Sequence, residues 1–270
     1  MNYNIEVEPG VKVFVEDINP TGNKTVVFLH GWPVNRKMYE YQVDILPNYG
    51  YRCITIDFRG FGNSDRPWTG YSYNRLSDDI RVIIDSLNLQ NVTLVGFSMG
   101  GAVAVRYMAR HGGCRVSKLA LLAAAAPKFT RSVDYPYGMT KEQVDQLIME
   151  TYENRPQMLT GFGKLFFASK VPPSFANWFQ GLGLEAAGHS TIKTEVSLRD
   201  EDMRLDLQAI KVPTGIFHGV LDKICPFQFA TIMNSQIIGS ELYRFVNSGH
   251  AVFYDELKLF NQRFLQFLSK

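Results

Sequence analysis

Cysteine is scarce in this chain, and long apolar runs are missing. The 270 residues include three cysteines, Cys53, Cys114 and Cys225, which are scattered and lack metal-ligand spacing. We therefore expect reduced thiols, with neither a disulfide framework nor a metal site. No run approaches the roughly 18 consecutive apolar residues that a membrane helix needs, so no membrane partner is predicted.

A charge excess of one sign is also lacking. Lys and Arg number 28 against 26 Asp and Glu, and no basic run is interleaved with aromatics, which argues against a nucleic-acid partner. The opening residues have neither the basic nor the apolar region of a secretion signal. Together with the odd cysteine count, this predicts a cytoplasmic location. A hydrophobic content of 46% is enough for a sizeable globular core.

Short apolar runs alternate with segments of helical periodicity, which predicts an α/β fold with a parallel sheet covered on both faces. The chain opens with a predicted hairpin, whose strands at 3–7 and 12–17 flank a Pro-Gly turn. The further predicted strands are 25–29, 51–56, 92–95, 116–122, 212–218 and 240–246. The predicted helices between and after them are 75–87, 101–111, 226–237 and 253–268.

This alternation stops between residues 128 and 200. The segment has helical tendency at 140–152 and 157–168, is rich in aromatics and is punctuated by prolines. Neither of its edges looks like a linker. We therefore predict a helical cap at 128–200, inserted into an α/β core formed by 1–127 and 201–270. A separate small domain with an aromatic core is the alternative.

The sequence Gly-Phe-Ser-Met-Gly at 96–100 is the most informative motif. It joins a predicted strand to a predicted helix, as a nucleophile elbow does: a sharp turn presents the serine at the N-terminus of a helix. Glycines suit positions 96 and 100 because side chains there would collide across the turn. Ser98 is the predicted nucleophile.

A serine hydroxyl needs a base, and His250 has the expected placement. It lies in a loop between the last predicted strand and the last predicted helix, at the carboxyl edge of the sheet. His30 and His218 end strands but precede glycine, which favours turn elements. His111 ends a helix, where a cation suits the helix dipole. His189 lies in the predicted cap.

The acid that orients the base should follow another strand, after the serine in chain order. Asp222 meets this condition. Asp57 precedes the serine and heads a turn, so we expect it to pair with Arg59 or with backbone amides. Asp200 and Asp202, near the exit of the cap, are the other candidates.

Two backbone amides must stabilise the oxyanion of such a reaction. Met99, directly after the serine, supplies one at the helix N-terminus. Trp32, in the loop after the strand at 25–29, is the predicted source of the other. Pro33 has no N–H and cannot donate. The Trp32 indole can pack against its neighbours at the same time.

Five motifs occur in one order: HGWP at 30–33, DFRGFGNSD at 57–65, GFSMGG at 96–101, HGVLD at 218–222 and GHAVFYDE at 249–256. Together they resemble the α/β-hydrolase superfamily, and within it the bacterial arylesterases and cofactor-free haloperoxidases, or perhydrolases. The resemblance covers nearly the whole chain and is weakest in the cap. It implies a mostly parallel eight-stranded sheet flanked by helices, a Ser98-His250-Asp222 triad and an oxyanion hole at Trp32 and Met99.

The resemblance also implies an acyl pocket lined by Phe129, Phe162, Phe166 and Ile224, with no haem or metal cofactor. Related enzymes often assemble, which leaves a homo-oligomer open. Pro33 after Trp32 matches the perhydrolase members, in which hydrogen peroxide replaces water and forms a peracid.

The leading functional hypothesis is a serine carboxylesterase that acts on small aryl or alkyl esters. Perhydrolysis or cleavage of lactams and amides by the same site is the second. A ligand-binding protein on a hydrolase scaffold is the third, which an intact triad disfavours. Dehalogenase and epoxide hydrolase chemistry would place aspartate, not serine, at position 98.

Overall fold

A computed structural model describes residues 1–270 and contains one eight-stranded sheet. The strands are β1 (Asn2–Glu8), β2 (Val11–Ile18), β3 (Lys24–Leu29), β4 (Tyr51–Ile56), β5 (Val92–Phe97), β6 (Val116–Leu122), β7 (Thr214–Gly219) and β8 (Glu241–Phe245). Their order across the sheet is β1-β2-β4-β3-β5-β6-β7-β8. The β1–β2 and β2–β4 pairs are antiparallel and all others are parallel, which confirms the predicted fold class.

Nine α-helices accompany the sheet. They are α1 (Glu40–Val43), α2 (Tyr73–Ser86), α3 (Met99–Arg110), α4 (Lys141–Gly163), α5 (Pro173–Leu184), α6 (Gly188–Asp200), α7 (Phe227–Gln236), α8 (Val252–Asp255) and α9 (Leu257–Ser269). Short 3₁₀ helices cover Arg36–Tyr39, Leu46–Tyr49 and Asp206–Ala209. The closing helix predicted at 253–268 is divided into α8 and α9. No helix combines the length and apolar character needed to cross a bilayer.

The central strands show why their sequences are almost purely apolar. All six residues of β5 and the last four of β3 are buried. Parallel strands with both faces covered have no solvent side, so the alternation of polar and apolar residues disappears. In β2, by contrast, every second residue is buried. This gradient places β3 and β5 at the centre of the sheet.

The segment 128–200 contains α4, α5 and α6. Helix α4 begins at a capping box, in which Gln143 N–H donates to the Thr140 hydroxyl at 3.0 Å and Thr140 N–H donates to the Gln143 side chain at 2.8 Å. The helix is kinked where Asn154 leaves helical geometry (φ −155°, ψ 75°), just before Pro156. The kink falls between the helices predicted at 140–152 and 157–168, and the second of these ends at Gly163, earlier than predicted.

The carboxyl ends of the parallel strands β3, β5, β7 and β8 lie at one edge of the sheet. Residues 30–33, 98, 222 and 250 follow these four strands. Apolar side chains of α4 and α5 belong to the same continuous buried cluster as those of the sheet. The cap helices thus pack onto the α/β core.

Candidate active site

Ser98 lies at the sharp turn between β5 and α3. Its backbone has φ 50° and ψ −118°, a conformation that a residue with a Cβ rarely adopts and that costs on the order of 1–3 kcal/mol. The turn is held from both sides, because Ser98 N–H donates to Leu122 O at 3.0 Å and Ala125 N–H donates to Ser98 O at 2.9 Å. The serine side chain is thereby presented at the N-terminus of α3.

The two glycines of the motif are required by close backbone contacts. A Cβ at Gly96 would lie 2.4 Å from Gly100 O, and one at Gly100 would lie 2.3 Å from Leu29 O. Neither carbonyl can move without disturbing β3 or α3. Gly31 is also restricted, since its Cβ would lie 2.6 Å from the Phe97 ring and 3.0 Å from the Ser98 Cβ. The loop after β3 and the serine turn are therefore in direct contact.

His250 and Asp222 form a buried pair. His250 Nδ1 lies 2.8 Å from Asp222 Oδ2, and both side chains are almost completely inaccessible to solvent. The other ring nitrogen of His250, Nε2, is buried and has no hydrogen-bond partner. The His250 ring also packs on Phe97, the residue before Ser98, with centroids 4.8 Å apart. An imidazole held at Nδ1 and unoccupied at Nε2 is able to accept a proton from a neighbouring hydroxyl.

The surroundings of Asp222 favour its ionised form. Its Oδ1 accepts N–H groups of Ile224 at 2.8 Å and Cys225 at 2.9 Å. Burial opposes ionisation, but His250 and His218 more than offset it and hold the pKa of Asp222 well below its ordinary value. The carboxylate can therefore fix the ring of His250 and stabilise a positive charge on it.

The loop that carries His250 is fixed by backbone hydrogen bonds on both sides of the ring. Gly249 N–H donates to Asp255 Oδ2 at 2.7 Å, and Ala251 N–H donates to Phe166 O at 2.7 Å. The first bond comes from α8 and the second from the segment after α4. The orientation of His250 thus depends on both the core and the cap.

The Trp32 and Met99 amides are both available as donors. Trp32 N–H has no acceptor in the protein. Met99 is the first residue of α3, so its N–H has no acceptor within the helix. The Trp32 indole Nε1 donates to Thr191 O of α6 at 3.1 Å, which shows that its side chain packs while its amide remains free.

Residues 24–257 match the α/β-hydrolase fold family, which is 234 of the 270 residues. The chain belongs to the α/β-hydrolase family. It is 50% identical over 267 residues to the AB hydrolase superfamily protein YisY of Bacillus subtilis, with 99% of each chain covered.

Two solved structures are similar to this α/β hydrolase over its full length. An esterase from Exiguobacterium antarcticum is 47% identical, with a TM-score of 0.98 and 100% of each chain covered. A bromoperoxidase from Bacillus anthracis is 32% identical, with a TM-score of 0.96 and the same coverage. These relatives confirm the resemblance to esterases and haloperoxidases inferred from the motifs.

Two histidines of this hydrolase differ from the sequence expectation. His30 and His218 each precede a loop or turn, as expected, but both rings are also completely buried and hydrogen-bonded. His30 Nδ1 donates to Gly31 O at 2.9 Å, and its Nε2 accepts Phe58 N–H at 3.0 Å. Burial lowers the pKa of His30 to about 4, so the ring is neutral at pH 7. The glycine signal was correct for the turn but gave no information on burial.

Asp57 also differs from the prediction in its partner. Its carboxylate pairs with Arg36, with Nη1 2.8 Å from Oδ2, and accepts the backbone N–H groups of Arg36 and Asn63 at 2.9 Å each. Arg59 instead pairs with Asp79. The expected role as an acceptor of backbone amides is thus correct, while Arg59 as the partner is wrong. No local motif indicates that the 3₁₀ helix at Arg36–Tyr39 packs against this turn.

Aromatic rings of the cap cover the site. The Phe162 ring meets Trp32 edge-on at 4.9 Å, and the Phe166 ring meets His250 edge-on at 5.2 Å. Ile224 is buried beside Asp222, where its N–H binds the carboxylate. Phe129 is buried too, but its ring makes no contact with another aromatic ring of the site.

A cavity of about 330 Å³ lies between the cap and the loop after β3. Its lining includes Pro33 and Val34 of that loop together with Phe162 and Phe166, and does not include Ser98, Asp222 or His250. The two phenylalanines therefore border both the cavity and the neighbours of Ser98. No group of three or more His, Cys, Asp and Glu side chains has the arrangement of a metal site.

Proposed function

We propose that this chain is a serine carboxylesterase that cleaves small aryl or alkyl esters through an acyl-enzyme. Ser98 is the nucleophile, His250 the base and Asp222 the acid that orients it. The observation that carries the proposal is the strained serine at a helix N-terminus, together with a buried imidazole that is bound at Nδ1 and unoccupied at Nε2.

In the first half-reaction, Ser98 Oγ attacks the ester carbonyl carbon while its proton passes to His250 Nε2. The tetrahedral oxyanion accepts N–H groups of Trp32 and Met99, and losing one such donor typically costs about 3–4 kcal/mol of barrier. Collapse breaks the ester C–O bond, and His250 gives its proton to the departing alcohol. Water then attacks the acyl-enzyme by the same route, releasing the carboxylic acid and restoring Ser98.

We expect small acyl groups to fit best. Phe162 and Phe166 are both buried and lie against Trp32 and His250, so we expect only a narrow apolar space beside the proposed nucleophile. We assign Phe129 and Ile224 to the more distant wall of this space. The adjoining cavity, which Pro33 and Val34 border, would take the larger part of the ester.

The proposal is tested with Ser98→Ala on p-nitrophenyl acetate. Removing the nucleophile should lower kcat by roughly 10⁴- to 10⁶-fold. Ser235→Ala, an exposed serine at the end of α7, is the matched control and should keep full activity. A fluorophosphonate probe should label wild type but not Ser98→Ala. Full esterase activity of Ser98→Ala, or labelling at another serine, would refute the assignment.

Perhydrolysis is the second candidate, favoured by Pro33 directly after Trp32 and by the similarity to a bromoperoxidase. In that reaction hydrogen peroxide attacks the acyl-enzyme in place of water, and the peracid released oxidises halide in solution. Bromination of a dye in acetate buffer with peroxide measures it. A rate no higher than that of Ser98→Ala, beside rapid ester turnover, would exclude this activity and leave the esterase assignment intact.

A further inference from the structure

A second buried histidine contacts the proposed catalytic acid. His218, near the end of β7, has its Nε2 2.8 Å from Cys225 O and 3.3 Å from Asp222 Oδ2. The side chains of His218 and Asp222 are both fully inaccessible to solvent. The ring therefore joins the end of the strand to two residues of the loop that follows it.

These contacts determine which nitrogen of His218 carries the proton. Cys225 O is a carbonyl oxygen and can only accept, so Nε2 must be the donor. The other nitrogen, Nδ1, is buried and has no partner. An imidazolium would leave a charged N–H unpaired there, which is costly. His218 therefore carries a hydrogen on Nε2, which Cys225 O accepts at 2.8 Å.

Both oxygens of the Asp222 carboxylate are held by hydrogen bonds, and the His218 ring lies beside them. Oδ1 accepts Ile224 and Cys225 N–H, Oδ2 accepts His250 Nδ1–H, and His218 Nε2 lies 3.3 Å from Oδ2. A carboxylate held in this way cannot rotate without losing a hydrogen bond. Its direction towards His250 is thereby fixed.

We propose that His218 is a positioning residue for the esterase reaction, whose Nε2–H binds Cys225 O and thereby holds the loop at 219–226, with Asp222, in the orientation that the base requires. This inference rests on the proposed function of Ser98, His250 and Asp222. Cys225 is part of the same arrangement, because its carbonyl is bound by His218 and its N–H donates to Asp222. Loss of the donor would loosen the acid loop next to the carboxylate that orients the base.

Three substitutions at position 218 test whether the hydrogen-bond donor at Nε2, and not the imidazole ring as such, is needed for activity. In His218→Gln the amide N–H lies near the position of Nε2, in His218→Asn it lies near that of Nδ1, and in His218→Leu there is no donor. We expect kcat on p-nitrophenyl acetate to fall about 10- to 100-fold in the Asn and Leu variants, with KM nearly unchanged. The Gln variant should keep most of the wild-type kcat. The rate of fluorophosphonate labelling of Ser98 should follow the same order, and His111→Gln, at a partly buried position after the end of α3, is the control.

The melting temperature of each variant distinguishes positioning from stability. If the Leu variant does not fold, the comparison of the Asn and Gln variants provides the test. Wild-type kcat in His218→Asn would overturn the proposal, as would a loss confined to KM. An equal loss in the Gln and Asn variants at equal melting temperature would show that the donor at Nε2 is not the cause. If wild type itself neither turns over ester nor reacts with the probe, the proposed function fails, which is a different outcome.

Discussion

The sheet edge and the cap surround the same serine, but their side chains are held by different interactions. At the sheet edge, Asp222 and His30 are fixed by hydrogen bonds to backbone groups at distances of 2.8 to 3.0 Å. In the cap, Phe162 and Phe166 meet Trp32 and His250 through ring edges, which restrict distance more than direction. Chemistry that depends on orientation is thus built on the sheet, and the shape of the pocket on the cap.

Glycines show the same contrast. At the sheet edge, a Cβ on Gly31, Gly100 or Gly219 would meet neighbouring atoms at 2.1 to 2.6 Å. In the cap, Gly161, Gly163, Gly181 and Gly188 have no heavy atom within 4 Å of the corresponding position. The three glycines at the sheet edge leave no room for a methyl group, whereas the four in the cap helices have open space around the same position. Glycine-to-alanine substitutions in the two regions can therefore measure this difference in local packing.

Gly100→Ala should have the largest effect. The new methyl would lie 2.3 Å from Leu29 O and 2.5 Å from His30 O, so α3 and the loop after β3 must move apart. A displacement of about 1 Å between Ser98 and the oxyanion amides can cost about 100-fold in rate. We expect kcat/KM for p-nitrophenyl acetate to fall by that order, and the melting temperature to fall as well. Wild-type kinetics would mean that the close contact does not fix the site.

A buried carboxyl group distinguishes the cap from the sheet edge in a second way. Glu195 of α6 is 1% exposed, and its nearest partner is Thr151 Oγ1 at 3.3 Å. The single Thr151 hydroxyl hydrogen is donated to Leu147 O at 2.8 Å, so Thr151 can only accept from a protonated Glu195. Burial raises the pKa of Glu195 to about 8, with a smaller contribution from Glu150. Unlike Asp222, this acid is therefore neutral at pH 7.

Glu195→Gln should change how the stability of the protein depends on pH. Because the folded pKa of about 8 lies above the ordinary value of 4.5, the unfolded chain releases this proton first. Wild-type stability should therefore fall as pH rises from about 4.5 to about 8, and change no further above that. Glu195→Gln removes the ionisation, so its advantage in melting temperature should be absent at pH 4.5 and reach several degrees at pH 9.

The test compares melting temperatures across this pH range for three proteins. These are wild type, Glu195→Gln and the control Glu153→Gln, which changes an exposed residue. The control should show a difference from wild type that does not grow with pH. Parallel curves for wild type and Glu195→Gln would show that the carboxyl ionises freely in the folded protein.

The parts of the site that the sequence predicts are those fixed by chain order. Strand ends at one edge of a parallel sheet must meet, so Ser98, Asp222 and His250 could be selected from their positions alone. The burial of individual side chains and their partners from distant parts of the chain could not be predicted in this way. The pairing of Asp57 with Arg36 and the second contact of Asp222 with His218 depend on how elements pack, which no local motif encodes.

The cap was predictable only in outline for the same reason. Its aromatics and prolines indicated a helical insertion, and the kink at Asn154 falls between the two predicted helices, but the end of the second helix at Gly163 was placed too late. The pattern also gave no reason to place Glu195 in the interior, because a charged residue on a helix usually faces solvent. Packing against α4, not periodicity, determines its environment.

Gly161→Ala should have the smallest effect and completes the comparison with Gly100→Ala. Gly161 lies in the second half of α4, where a Cβ meets no heavy atom within 4 Å. Alanine loses less conformational entropy than glycine on entering a helix, which favours the folded state by about 0.5–1 kcal/mol. For a chain of this size, we expect the melting temperature to rise by about 1–4 °C with kcat/KM unchanged. A lower melting temperature, or a rate loss like that of Gly100→Ala, would mean that the cap is packed as tightly as the sheet edge and that the contrast between the two regions is wrong.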